Sequence, residues 1–245
     1  MTQRASWAAV AAAVLGLLDL GGVALGPALA YLGVTRPFVG FVIFALGFLD
    51  GLLALVLGGI GLARTRATSG RPGRGLAWIG VGVGAAVLVI VVAGSLPGRG
   101  KPRINDITTN PGDPPAFRAA ARDPANAGRD LAYPREFAAI QRAAYPDLTS
   151  LLVPRSAPET LERAKAAATT LGWEIVEVRP AEGVLEAREV SGIFRFVDDV
   201  VVRVRPGLDS RNASIVDVRS KSRDGQGDLG ANADRIEAFN RAMQE

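Results

Sequence analysis

The sequence predicts a membrane anchor of three transmembrane α-helices followed by an α+β domain with an antiparallel sheet and helices packed on one face. Three observations carry this reading. Residues 6–97 hold little charge outside one loop. Within them lie three runs that each reach the roughly 20 apolar residues needed to cross hydrocarbon. Beyond residue 156, strand patterns recur at hairpin spacing between two helical patterns. The organisation expected is a three-helix region at 1–97, a Pro-rich extended segment at 98–156 and the α+β core at 157–245.

The apolar runs fall at 7–31, 38–62 and 76–96, with Trp7, Tyr31, Phe38 and Trp78 near their ends, where aromatic rings favour the interface. The connection at 33–37 is short enough to force the first two helices into an antiparallel hairpin. The connection at 63–74 carries Arg64, Arg66, Arg71 and Arg74 and no acid. Cytoplasmic loops are enriched in Lys and Arg, so this loop and Arg4 place the N-terminus inside and the domain outside. Arg36, Arg99, Lys101 and Arg103 pull the other way.

Two spans hold a carboxylate near mid-depth. Asp19 and Asp50 close the matched pentapeptides LGLLD at 15–19 and LGFLD at 46–50. A carboxylate in lipid is costly, and no Lys or Arg within the spans neutralises either one. One alternative is a proton-linked or ligand site between the first two helices. The other is a protonated pair acting as interhelical hydrogen-bond glue, beside small residues such as Gly47, Gly51, Gly80 and Gly84.

Prolines crowd residues 97–158 and predict an extended segment, with a short strand at 103–109 and one short helix near 135–144. Phe117, Tyr133, Phe137, Tyr145 and Leu151 predict that it wraps onto the domain. Ser156-Ala157-Pro158-Glu159 fits a capping box, opening a helix with Leu161, Ala164, Ala168 and Leu171 on one face and Gly172 as its stop. Strands follow at 173–179, 184–190, 193–205 and 213–223, with turns at 180–183 and 206–210. A closing helix at 230–243 spaces Ala233, Ile236, Phe239 and Met243 along one stripe.

The third of these strands puts Asp198 in the apolar register of Phe194, Phe196, Val200, Val202 and Val204. Either a bulge re-aims it or it is buried against an Arg. In the last strand Val216 and Val218 lead on to Ser220 and Ser222. The opposite side, Asp217, Arg219, Lys221 and Arg223, is expected to be a solvated charged face.

Composition removes several chemistries. The chain has no Cys and no His, which excludes disulfides, thiolate catalysis, Ser-His-Asp relays, haem-His ligation and Cys/His zinc sites. The net charge of +4 lies wholly in the anchor, where six Arg and two Asp precede residue 99, and the remainder balances. Nucleic-acid binding needs its basic excess on the binding domain, so no nucleic acid is expected. No cofactor and no metal are expected either. Asp224 and Asp228 offer an oxygen pair, but DGQGD departs from the EF-hand spacing.

The run RSKSRDGQGDLGANADRIE at 219–237 resembles the closing motif of the domain-of-unknown-function 1499 family, approximately RSxSRxGxSDLGxNxxRIE. Arg219, Ser220, Ser222, Arg223, Gly225, Asp228, Leu229, Gly230, Asn232 and Arg235 match it. Supporting matches are RINDITT at 103–109, Tyr145-Pro146-Asp147 and FRFVDDVVVRVRP at 194–206, so the resemblance covers about residues 101–243. Asp224 and Gly227 depart from it, and the Asn-Cys-Val-Ser-Ser segment of shorter relatives is missing. The resemblance implies a membrane- or envelope-associated bacterial protein, with related plastid forms and no established activity.

Physically, the motif is a strand turning through a Gly-rich loop into a helix N-terminus, capped by Asp228 or Asn232. Backbone N–H groups there, with Arg219, Arg223 and Arg235, form a candidate anion site together with Ser220 and Ser222. The structural alternative is that Arg223 or Arg235 pairs with Asp198 and locks the loop to the sheet. Three functions follow as expectations. The first is a non-enzymatic binding or assembly module, multi-pass in the bacterial inner membrane with its domain extracytoplasmic. Its partners would be the bilayer and an envelope protein or small anionic ligand. The second is a hydrolase using carboxylates such as Asp198, Asp199 and Asp228. The third is a small proton-linked membrane device built on Asp19 and Asp50.

Overall fold

A computed structural model describes residues 4–207 and 212–244. The chain divides into two compact units, Met1–Pro97 with Gly192–Arg195, and Gly98–Ser191 with Phe196–Glu245.

The first unit is built on three helices, α1 (Trp7–Tyr31), α2 (Pro37–Arg64) and α3 (Arg74–Ser95), each long and apolar enough to cross a membrane. Its interior is made of small residues. Ala8, Ala9, Ala12, Ala54 and Ala77 are fully buried, while Leu17, Leu25, Val56, Val89 and Ile90 point outward. That inversion suits lipid, where large side chains lose nothing by facing outward and helices associate through close backbone approach. A Cβ on Gly22 would lie 2.7 Å from the Gly47 Cα, and one on Gly80 2.6 Å from the Ala12 Cβ. Both Gly22 and Gly80 are therefore required by the spacing of their helices.

The second unit is a six-stranded antiparallel sheet, in order β1-β6-β5-β4-β3, with β2 also on β6. Its strands are β1 (Asp106–Thr108), β2 (Leu151–Val153), β3 (Glu174–Arg179), β4 (Val184–Val190), β5 (Val197–Pro206) and β6 (Ser214–Ser222). One edge of β6 pairs with β5 from Asp198↔Ser222 to Pro206↔Ser214. The other edge is shared, β1 lying on Arg219–Lys221 and β2 on Ser214–Val216. Four helices accompany the sheet: α4 (Ala119–Arg122), α5 (Phe137–Ala144), α6 (Ala157–Thr170) and α7 (Ala231–Gln244).

The core lies between one sheet face and α6 and α7. Leu185, Ala187, Val200, Val202, Val204, Val216 and Val218 meet Leu161, Ala164 and Ala168 of α6 and Ala233, Ile236 and Phe239 of α7. Trp173 stacks on Phe239 with ring centroids 5.1 Å apart. The α6 capping box is formed, with both Ser156 N–H and Ser156 Oγ donating to Glu159. Gly172 ends that region at φ 77°.

Several expectations are corrected. The strand expected at 193–205 starts only at Val197, because Arg195 takes φ 61° and a turn joins Ser191 to Phe196. Phe194 and Phe196 therefore precede the strand whose register they were expected to share. The strand expected at 103–109 is only Asp106–Thr108. Neither β2 nor α4 was expected: three and four residues are too few to display a period. The turn at 206–210 falls largely outside the described residues.

The second sheet face is also covered. Phe117, Ala120 and Leu131 of the Pro-rich segment pack on Val201 and Val184. The N-terminus of α4 sits on Glu186, whose carboxylate accepts from the N–H groups of Arg118, Ala119 and Ala120 at 2.8–3.1 Å. The edge of β1 is closed by a side chain. Gln141 of α5 donates to Thr108 O at 2.6 Å and accepts from Thr108 N at 3.0 Å, as a neighbouring strand would.

Candidate functional site

The closing motif begins on β6, whose alternation sends Asp217, Arg219 and Lys221 to the face under the Pro-rich segment. The expected solvated charged face is a buried one: Asp217 is 0% exposed, Arg219 2% and Lys221 7%. The reason is that the segment 111–133 lies over it and brings the complementary groups.

Arg219 forms a forked pair with Asp106, Nε to Oδ1 at 2.8 Å and Nη2 to Oδ2 at 2.7 Å. Its remaining reach goes to Pro115 O at 3.0 Å and Leu131 O at 2.7 Å. The guanidinium also lies 4.7 Å from the Phe117 ring centroid and 5.6 Å from that of Tyr133. Both contacts are cation–π, which the planar guanidinium suits. Lys221 Nζ donates to the same Asp106 at 2.9 Å. Burial, followed by the Asp106 charge, pushes the Tyr133 hydroxyl up to about 12, so it remains a neutral donor to Gln141.

Three further carboxylates meet cations here. Asp217 accepts from Arg203 and Arg205, each at 2.7 Å, and from Ser150 at 2.6 Å. Burial alone would raise its carboxyl. The Ser150 and Arg203 hydrogen bonds and the Arg205 and Arg203 charges outweigh burial and hold it below the ordinary carboxylate range. Asp199 is held in a fork by Arg223, at 3.0 and 2.6 Å, and accepts from Asn126 at 2.9 Å. Arg223 also reaches Asp123 at 2.8 Å. The Ala125 backbone N–H and then the Arg223 hydrogen bond keep the Asp123 carboxyl low.

The other face carries the second half of the motif. Ser220 and Ser222 continue the core-facing register of Val216 and Val218, and there they meet α7. Ser220 Oγ donates to Asn232 Oδ1 at 2.6 Å, and Asn232 Nδ2 donates to Ser222 Oγ at 2.9 Å. Arg235 donates to Ser220 Oγ at 2.9 Å, Asn232 Oδ1 at 2.7 Å, Asp198 Oδ2 at 2.6 Å and Glu189. Asp198 stays in register opposite Glu189 and Ser222, with no bulge, and its buried carboxylate meets Arg235. Of the two possibilities set by the strand pattern, burial against an Arg is the one found.

Asp228 begins α7. Its Oδ1 accepts from Gly230 N at 2.9 Å and its Oδ2 from Asn232 N at 2.8 Å. Gly230 sits at φ 93° and Gly225 at φ 79°, the left-handed region that favours glycine. The loop they shape borders a hollow of about 320 Å³ lined by Arg103, Asn105, Phe137, Gly225 and Gln226. Its walls are tied together, Arg103 to Gln226 at 3.1 Å and Asn105 to Gly225 O at 2.6 Å.

The motif residues are thus gathered at β6 and its junction with α7, but on two faces of the sheet. Arg219 and Arg223 work on one face, while Ser220, Ser222, Asn232 and Arg235 work on the other. Asp198 and Asp199 are separated in the same way by strand alternation. Sequence reasoning passed over Asp106, Asp123, Glu186, Glu189 and Asn126, which are the partners. Asp106 had a signal, standing inside RINDITT. Asp123, Asn126 and Glu189 had none, since each is more than 40 residues from the side chain it meets across the fold. Glu186 lies seven residues from Arg179 but more than 60 from the α4 N–H groups it accepts.

Asp19 and Asp50 belong to the first unit and differ there. Asp19 is fully buried and Asp50 half-buried. Among the described residues, no group of three or more acidic side chains converges as metal ligands would.

No curated protein and no solved structure matches the chain. A family model described as "Protein of unknown function (DUF1499)" matches residues 106–243, more than half of its length.

Proposed function

The chain belongs to the DUF1499 family, and from that premise we propose that it is a membrane-anchored, non-enzymatic binding or assembly module of a bacterial inner membrane. One observation carries the reading. Arg219, Arg223 and Arg235, the charged core of the closing motif, each end on carboxylates of the same chain. Such pairs build a fixed surface. Acid–base catalysis needs groups left free to exchange protons near the operating pH.

The carboxylate-hydrolase reading requires two acids facing one hollow. Asp198 is engaged by Arg235, Asp199 by Arg223, and Asp228 by backbone N–H groups of the α7 start. The anion-site reading requires guanidinium groups turned toward solvent, and these three are 8–10% exposed or less at the side chain. What supports a module is the investment in rigidity: a sheet covered on both faces and tied by ion pairs across it.

The outer-face placement rests on the Arg64, Arg66, Arg71 and Arg74 loop between α2 and α3. Photo-crosslinking of the full chain in its native membrane tests the module reading. Probes would be introduced at exposed Leu152 and Gln226. A discrete protein adduct in stoichiometric yield is the expected result. Recovery of the monomer alone from every probe position would overturn the reading.

A further inference from the structure

We propose that the Asp19 carboxyl is a proton-binding site, and that its bound proton holds the three-helix bundle closed. The proposal goes beyond the module reading and stands whether or not that reading holds.

Asp19 is 0% exposed, and neither carboxylate oxygen has a hydrogen-bond partner among the described residues. An isolated buried carboxylate is the costliest of side-chain groups unless something neutralises it. The position is a built one. A Cβ on Gly51 would lie 2.4 Å from Asp19 Oδ2 and 2.7 Å from its Cγ, so the carboxyl occupies the space a side chain on α2 would take. Gly51 in turn touches α3, where a Cβ on Gly84 would lie 2.3 Å from Gly51 O. The carboxyl is therefore enclosed where α1, α2 and α3 come together through glycines.

The charged groups packed around it supply no cation. On α2 the neighbouring ionisable residue is Asp50, a like charge, and Arg64 is at the far end of that helix. On α3 no ionisable residue follows Arg74, the first of the helix. On α1 Asp19 is the one charged residue, and Tyr31 closes the helix at its far end. A proton is the smallest ligand that neutralises the group, and the tight glycine contacts admit it without displacing a helix backbone. Loss of that proton to water, COOH giving COO⁻ and H⁺, leaves a bare charge facing Asp50 and favours separation of α1 from α2. Rising pH then loosens the bundle and falling pH closes it.

The test uses the full chain in detergent micelles or nanodiscs, by infrared spectroscopy in H₂O and D₂O. At neutral pH the wild type is expected to show the C=O stretch of a protonated carboxyl, with a deuterium shift on exchange. The Asp19→Asn variant loses this band and the Asp50→Asn variant keeps it. Thermal unfolding from neutral to alkaline pH supplies a second readout: the wild type weakens as pH rises, and Asp19→Asn lacks this dependence. If Asp19→Asn fails to fold, the wild-type band and its disappearance on alkaline titration are still measurable. No protonated-carboxyl band at neutral pH would overturn the proposal. So would a band lost only in Asp50→Asn, or one displaced by millimolar sodium or lithium, which would make the ligand a metal cation.

Discussion

Arg219 and Asp106 meet in a forked pair across 113 residues, at 2.8 and 2.7 Å, on a sheet face closed from solvent. The pair joins the first strand of the domain to its last. Removing Arg219 leaves the buried Asp106 carboxylate with Lys221 alone, and removing Asp106 leaves two buried cations without it. Breaking such a group by one member costs far more than replacing it whole.

Arg219→Ala is accordingly expected to destabilise the domain by roughly 3–5 kcal/mol. Arg219→Lys keeps the charge but loses the fork and the stacking on Phe117 and Tyr133, and is expected to fall between. Thermal unfolding of the full chain in detergent, followed by the tryptophan signal, ranks the three proteins. An Arg219→Lys variant as stable as wild type would contradict the importance given to the fork.

Asn232→Ala cuts Ser222 off from Ser220 and Arg235 and leaves each serine hydroxyl one partner short. The expected loss is roughly 1–3 kcal/mol. Hydrogen exchange should localise the loss to β6 and α7. Uniform loosening of the sheet would argue for a different role.

Stability against pH has a definite sign at Asp217. Its carboxyl is held below the ordinary range of about 4 by Ser150, Arg203 and Arg205. A carboxyl depressed in the folded state contributes its full stability above the unfolded value and loses it as pH falls through the folded one. Acid is therefore expected to unfold the domain more steeply in the wild type than in Asp217→Asn. The variant starts out less stable at neutral pH. Parallel acid limbs for the two proteins would contradict this.

In the bundle, Gly47→Leu places a Cβ 2.8 Å from Val23 N and further atoms beyond it. The α1–α2 contact is expected to open, with loss of the folded full chain from detergent extracts. Gly59, with nothing within 4 Å of its Cβ position, is the control, and Gly59→Leu is expected to be tolerated.

Orientation is checked by paired reporters at the C-terminus. Alkaline phosphatase is expected to be active and a green fluorescent protein dark, because the Arg-rich loop between α2 and α3 should stay in the cytoplasm. The reverse pattern would move the domain to the other side.

The legibility of this chain in its sequence divides along physical lines. Local signals read well: β4 was expected at 184–190 and forms Val184–Val190, and the Ser156/Glu159 capping box opens α6. These depend on neighbours within a few residues. The buried charges on β6 did not read, because a strand with Asp217, Arg219 and Lys221 on one side looks solvated until its cover is known. That cover comes from an aperiodic segment about a hundred residues earlier. Arg195 shows the complementary limit, since a positive φ in one residue ended an apolar register that seemed continuous.

The placement of β6 between β5 and the pair β1 and β2 has a consequence for how the chain is made. Synthesis delivers β1 and β2 well before the strand they attach to. Until Ser214–Ser222 is available, Asp106 waits without Arg219 or Lys221, and the Pro-rich segment has no completed face to cover. Closing such distant pairings late is slow. A chain cut short before Ser214 would leave β1, β2 and β5 without the strand they share, so the sheet can close only once Ser214–Ser222 has been made.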